Sequence, residues 1–385
     1  MKTIRIPARV AEIAPAQFDL LNTRAAELRA RGHEVISLGQ ALPGFGPPPA
    51  AIDAVRRALE TADAHIYSAD AGLRSLREAL CEELRGVQPE DIIITAGGNQ
   101  TFMLALMTLV DPGDEVLLPA PYFVNHEMAI AAIGAVPKEV PLHEEAGFAL
   151  RWKDLKPHVT PRTRAVVVCT PSNPTGAVVA PREMARIARE LAALGVVLFA
   201  DETYARFVFD DEFRSAAALP DWRTNVVVVS TFSKSFGMTG WRVGYMLADA
   251  RVCDEAIKIQ DAMIICAPVM AQAGVEAAIR EAWDYPASFT GELTARRQAL
   301  ADGLKGIARL HWTPAGGGFF AFVRVEGCTD SAALARDILE RAHLVTIPGS
   351  TFGRSGEGFI RLSYSAVTRG EIAQACARLH RFFNG

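Results

Sequence analysis

The sequence predicts an α/β protein: a mainly parallel sheet covered on both faces, with a smaller α+β region beside it. Three observations predict this. Short apolar, β-branched runs recur along the middle of the chain at Ile92–Ile94, Glu115–Leu118, Ala165–Cys169, Val196–Ala200, Val226–Ser230 and Val243–Leu247. They lack polar alternation, which means strands buried on both faces. Most are separated by amphipathic stretches such as Gln100–Val110 and Pro181–Leu194, the alternation that builds parallel sheets. After about residue 297 the texture changes, and two strands flank a helix.

Taken in order, Ala11 to Arg31 has helical periodicity and stops at Gly32, and Val35–Leu38 reads as a short strand. A turn-rich stretch from Gly39 ends in Pro47–Pro49, where a helix from Ala50 to about Thr61 begins. The alternating strands and helices follow from Ile92. A helical stretch from about Asp249 to Arg297 leads to strands at Gly316–Val323 and Phe359–Tyr364, with a helix at Ser331–Ala342 between them.

Composition narrows the function classes. Half the residues are hydrophobic and 22% are charged, which excludes wholesale disorder and suits a globular enzyme. A net charge of −4 and no basic stripe interleaved with aromatics argue against nucleic acid. Six dispersed cysteines without a CxxC pair suggest no disulfide framework, and Cys169 and Cys266 read as small core residues. The expected compartment is therefore the cytoplasm. Nothing approaches a membrane-spanning run of about 18 apolar residues, and the histidines show no metal-ligand spacing.

Chemistry-bearing residues gather at the predicted strand ends. Lys234 follows the run Val226–Ser230 in a Ser/Thr-rich turn. A lysine where a buried strand emerges is partly desolvated, which favours the neutral, nucleophilic amine that a Schiff base with an aldehyde needs. A lone lysine after a strand more often just sits on the surface. Arg242, eight residues on, is a planar fork suited to phosphate. Ala96-Gly97-Gly98-Asn99-Gln100 joins a strand to a helix, where free N–H groups favour an anion, although a Gly-Gly turn can also be purely structural. Pro171 and Pro174 hold Asn173 in a rigid turn. Asp201, at the end of a buried strand, needs a partner. Arg361, inside an apolar strand, needs an anion, either a structural carboxylate or a ligand. No GxGxxG dinucleotide turn, P-loop, GxSxG elbow or SxxK motif is present.

Ser233-Lys234 with Met238-Thr239-Gly240-Trp241-Arg242-Val243-Gly244-Tyr245, preceded by Asn173-Pro174-Thr175-Gly176 and Asp201-Glu202-Thr203-Tyr204, resembles the fold-type-I enzymes that use pyridoxal 5'-phosphate. The match is to class I/II aminotransferases, in the aspartate, aromatic and kynurenine–glutamine group, and spans roughly Leu38 to Tyr364. The resemblance implies a PLP-transferase fold of type I, with a mainly parallel seven-stranded sheet in a large domain of residues 48–285. The small domain would be discontinuous, comprising 1–47 and 286–385.

The resemblance also implies roles. Lys234 forms the cofactor's Schiff base, Asp201 faces the pyridine nitrogen, and Asn173 and Tyr204 meet the phenolic oxygen. Phe123 stacks on the ring. Gly98, Asn99, Gln100, Thr231 and Arg242 hold the phosphate, joined by Tyr67 from a neighbouring subunit. Arg361 clamps the substrate carboxylate, with Asn173 and the backbone of Ala41 beside it; Ala41 stands where the family usually has glycine. The implied activity is transfer of the amino group of an L-α-amino acid to a 2-oxo acid, in a homodimer with shared active sites. A β-elimination (C–S) lyase or a cyclising synthase shares these motifs and is the alternative. In aspartate-using relatives the residue after the Gly-Gly is commonly lysine. Asn99 stands there in this chain, so neutral donors are expected to outperform aspartate.

Overall fold

The structure is a computed structural model that describes residues 4–15 and 17–384. Residues 1–3, 16 and 385, which fall within the expected first helix and the two stretches of the expected small domain, lie outside the described residues.

A seven-stranded sheet carries the middle of the chain. Its strands are β2 (Ile92–Thr95), β3 (Glu115–Ala120), β4 (Val136–Pro141), β5 (Thr163–Cys169), β6 (Val197–Asp201), β7 (Val226–Thr231) and β8 (Gly244–Leu247); β1 lies outside this sheet. The order is β2-β8-β7-β6-β5-β3-β4, and only β8 runs antiparallel to its neighbours. Alternate residues feed two separate cores. Ile92, Ile94, Val166, Val168, Leu198 and Val228 pack on one face, and Ile93, Val116, Val167, Phe199 and Val227 on the other. Both faces are dry because helices cover both, which is why the strands read as unbroken apolar runs.

β4 was not expected. Val136-Pro137-Lys138-Glu139-Val140-Pro141 contains two prolines and is half exposed, a pattern tolerated only on a sheet edge, where β4 lies. Two expected helices are also divided. Ala11–Arg31 resolves into Ala8–Ala11 and Gln17–Ala30, on either side of Pro15. The stretch from Asp249 becomes Ala250–Ile264, Val269–Ala282 and Thr290–Leu304, broken first at Ile265, whose φ is 63°, and Pro268.

The second layer is an antiparallel sheet of β9 (Leu310–His311), β10 (Phe320–Val325), β12 (Ile347–Pro348) and β13 (Phe359–Ser363), in the order β12-β13-β10-β9. β1 (Ile36–Ser37) pairs in parallel with β11 (Leu344–Val345), so the N-terminal segment joins the C-terminal layer. Tyr204 and Phe207, from the loop after β6, sit in the same core as Phe319 and Phe320 and tie the layers together. Glu139 of β4 adds a polar tie, accepting from the N–H groups of Arg354 and Ser355 at 3.0 and 2.8 Å. Among the described residues, no helix is long and apolar enough to cross a membrane.

The topology aims everything at one edge. β2, β3, β5, β6 and β7 all end on the same side, and register pairs Cys169 with Asp201 and Asp201 with Val229. Gly244, opening β8, lies opposite both Thr95 and Thr231. A Cβ there would stand 2.7 Å from the Ser230 carbonyl oxygen and 3.0 Å from the Gly97 carbonyl carbon, so only glycine lets the turns after β2 and β7 meet.

Candidate active site

A cavity of about 640 Å³ opens at that edge, between the two layers. Lys234, Asp201, Tyr204, Asn173, Gly98, Asn99, Phe123, Thr231, Arg242, Arg361 and Ala41 all line it. Its size falls in the usual range for small-molecule sites, about 300–1,000 Å³.

Lys234 stands on a one-turn helix, Phe232–Ser235, started by Thr231, whose hydroxyl accepts from the Ser233 N–H at 3.2 Å. This turn throws the lysine back over the sheet edge, where Nζ donates to the Ala41 carbonyl at 2.7 Å. Desolvation, helped by the positive Arg361 and Arg242, lowers its pKa to about 8. The amine is thus close to losing its proton at neutral pH, as a nucleophile requires.

Asp201 ends β6 and is buried. Its Oδ1 accepts from the Thr203 N–H at 3.0 Å, and its Oδ2 lies 3.0 Å from His126 Nε2. Burial favours the protonated acid, but the His126 bond and charge, with Thr203, outweigh it and hold the pKa below the ordinary carboxylate value. His126 itself is fixed on the helix Val124–Ala132, its ring 4.5 Å from Phe102 and 5.5 Å from Phe123, centre to centre.

On the opposite wall Arg361, central in β13, is 1% exposed. Its guanidinium donates to Asn173 Oδ1 at 2.8 Å and to the Gly39 carbonyl, and its Nε has no partner. Three rings, Phe18, Phe320 and Phe352, stand within 4.9–5.2 Å of its Cζ. Among the described residues no carboxylate pairs with it. Burial lowers its pKa to about 10. A buried cation without a counter-ion and with one donor free is built to receive an anion. Tyr204, wedged edge-on against Phe319 and Phe320, keeps its phenol proton because burial raises its pKa well above the usual value.

The fourth wall is the turn after β2. Gly97 has φ +87°, and a Cβ there would collide with the Arg242 guanidinium. Arg242 donates to the Thr239 carbonyl at 2.9 Å and to the Ala96 carbonyl at 3.3 Å, and lies 3.4 Å from Ser233 Oγ. The helix Gly98–Leu109 starts here, so its unpaired N–H groups and the guanidinium face the same space.

The structure adds detail to three expectations. The Gln100 side chain turns away from the cavity. It accepts from the Ala96 N–H at 2.9 Å and donates to Gln260 at 3.2 Å, bracing the turn rather than lining the site. Tyr67 is 74% exposed and does not reach the cavity of its own chain. Ala41 does meet the site, but the contact is its carbonyl on Lys234. Sequence reading missed His126, Ser233 and Thr203, together with Ile13, Phe18 and Met128 on the apolar side. A lone histidine in the helix after Phe123 was the one available signal for His126.

The chain is similar to known proteins along most of its length. The family described as aminotransferase class I and II matches residues 33–379. A probable aspartate/prephenate aminotransferase of Aquifex aeolicus is 33% identical over 389 residues, covering 98% of each chain. Aromatic-amino-acid aminotransferase 2 of Thermococcus litoralis is 32% identical over 363 residues, covering 91% of this chain and 92% of its own. Among solved structures, aspartate aminotransferase from Thermus thermophilus with maleate superposes with a TM-score of 0.92 at 30% identity, over 98% of this chain and all of that one.

Proposed function

The chain belongs to the class I and II aminotransferases, and from that membership we propose how its cavity moves an amino group from an L-α-amino acid to a 2-oxo acid with pyridoxal 5'-phosphate as cofactor. The cavity offers a complement to each polar part of that molecule. The Gly97–Asn99 turn, Thr231, Ser233 and Arg242 suit its phosphate. Asp201, kept ionised by His126, suits a protonated pyridine nitrogen, while Tyr204 and Asn173 suit the phenolic oxygen and Phe123 the ring face. When bound, the cofactor supplies an aldehyde that captures amino groups and a ring that takes up electrons as Cα is deprotonated.

The chain supplies the rest. Lys234 would hold the cofactor through its neutral amine and, when an incoming amino acid frees that amine, would take up the proton of the substrate Cα. The Ala41 carbonyl keeps that amine in place. Arg361, which lines the cavity and has no carboxylate partner among the described residues, receives the α-carboxylate, so that Cα is presented to Lys234. The phosphate site is completed in a homodimer by Tyr67 of a second copy, whose exposure leaves it available for that contact. Residues 48–285 form the large domain of this cytoplasmic enzyme, and the described residues of 1–47 and 286–385 form the small one.

The observation that carries this reading is a lysine amine of pKa about 8 in one cavity with the ionised Asp201 and with Arg361, which has no carboxylate partner among the described residues. The test is to load the protein with pyridoxal phosphate and supply an amino acid with a 2-oxo acid. Stoichiometric appearance of the new amino acid is expected. Release of ammonia instead would assign a lyase and contradict the transfer.

A further inference from the structure

The cavity continues past the groups assigned above. It runs along Asn99 and Met103, one turn apart on the helix Gly98–Leu109, and along Asn125, Met128 and Ala132, which share one face of the helix Val124–Ala132. Ile13 closes it from the N-terminal segment, which is pinned to this helix by Arg9, whose Nε donates to the Ala132 carbonyl at 3.1 Å. These walls carry amides, thioethers and hydrocarbon. The cations lining the cavity are Lys234, Arg242 and Arg361, each already engaged by the reading above, and its carboxylate, Asp201, is held by His126.

We infer that this trough takes the side chain of the donor amino acid and selects large neutral side chains, aromatic or methionine-like, over a second carboxylate. The inference rests on the aminotransferase reading and extends it to the substrate class. Thioethers are polarizable and adjust their shape, so Met103 and Met128 fit both flat rings and flexible chains. A carboxylate placed there loses its water and meets, among the residues lining the cavity, no cation beyond those already engaged. The apolar walls give nothing in return.

The experiment measures single-turnover kcat/KM of the pyridoxal phosphate-loaded enzyme with phenylalanine, methionine, alanine and aspartate. Phenylalanine and methionine are expected to exceed aspartate about ten- to a hundredfold. Aspartate equal to or better than both overturns the inference alone, and points to a cation brought by a second copy of the chain. No conversion of any amino acid overturns the aminotransferase reading and this inference with it. Two variants locate the selection. Met128→Lys should shift the phenylalanine-to-aspartate ratio toward aspartate at least tenfold, and Ala132→Phe, which fills the trough, should lower the phenylalanine-to-alanine ratio. Unchanged ratios in both folded variants would show that the side chain lies elsewhere.

Discussion

Replacing His126 with phenylalanine tests whether Asp201 depends on its neighbour to stay charged. The variant keeps an aromatic ring beside Phe102 and Phe123 but deletes the 3.0 Å contact to Asp201 Oδ2, leaving the Thr203 N–H on Oδ1. A hydrogen bond to a charged group contributes about 1.5–3 kcal/mol. If that support acts when electrons reach the cofactor ring, turnover falls about 10- to 150-fold, with little change in amino-acid affinity. Stability should respond as well. Asp201 is held below its ordinary value, so it stabilises the fold at neutral pH, and this is lost as pH falls through the folded-state value. Without His126, burial acts with less opposition, and acid unfolding should begin at higher pH. The assays are kcat against pH and a pH-unfolding curve, with His126→Gln restoring a donor. Near-native turnover and an unmoved acid limb in His126→Phe would refute the reasoning.

Other parts of the site give independent readouts. Arg361→Leu should weaken amino-acid binding about 10- to 150-fold while leaving the absorbance of bound pyridoxal phosphate intact, since its role is the carboxylate; lost cofactor would mark the arginine as structural. Gly97→Ala should reduce cofactor affinity at least tenfold, as a Cβ at φ +87° drives into the Arg242 guanidinium; equilibrium titration of the apoprotein decides it. Attachment of the cofactor to apoprotein should speed up with pH and level off above about 8, because folding lowers the Lys234 pKa to that value. At pH 7 about one amine in ten is then neutral, against about one in three thousand at the ordinary lysine value. A rate still rising at pH 10 would contradict a desolvated lysine.

What could be read from the sequence was what lies close together along it. Asn173 between two prolines, Asp201 and Tyr204 on one turn, and Lys234 with Arg242 each carry their reason within a few residues, and all reach the cavity. The buried strands β5, β6 and β7 were legible because dryness on both faces leaves an apolar run. β4 was not, because an exposed edge strand with two prolines looks like a loop. His126 meets Asp201 across 75 positions, and no local pattern announces such a pair. The orientation of the Gln100 side chain was not legible either: its place beside the glycines is local, but its partner is Gln260, far along the chain. The trough depends on three segments meeting, which only the fold decides.

The central claim is that Lys234 is the residue that bonds the cofactor, and trapping that bond tests it most directly. The protein is loaded with pyridoxal phosphate, reduced with borohydride, digested, and its peptides mapped by mass. The account predicts one pyridoxyl group per chain, on Lys234. A label on Lys258 or any other lysine, or no label at full cofactor occupancy, would contradict it.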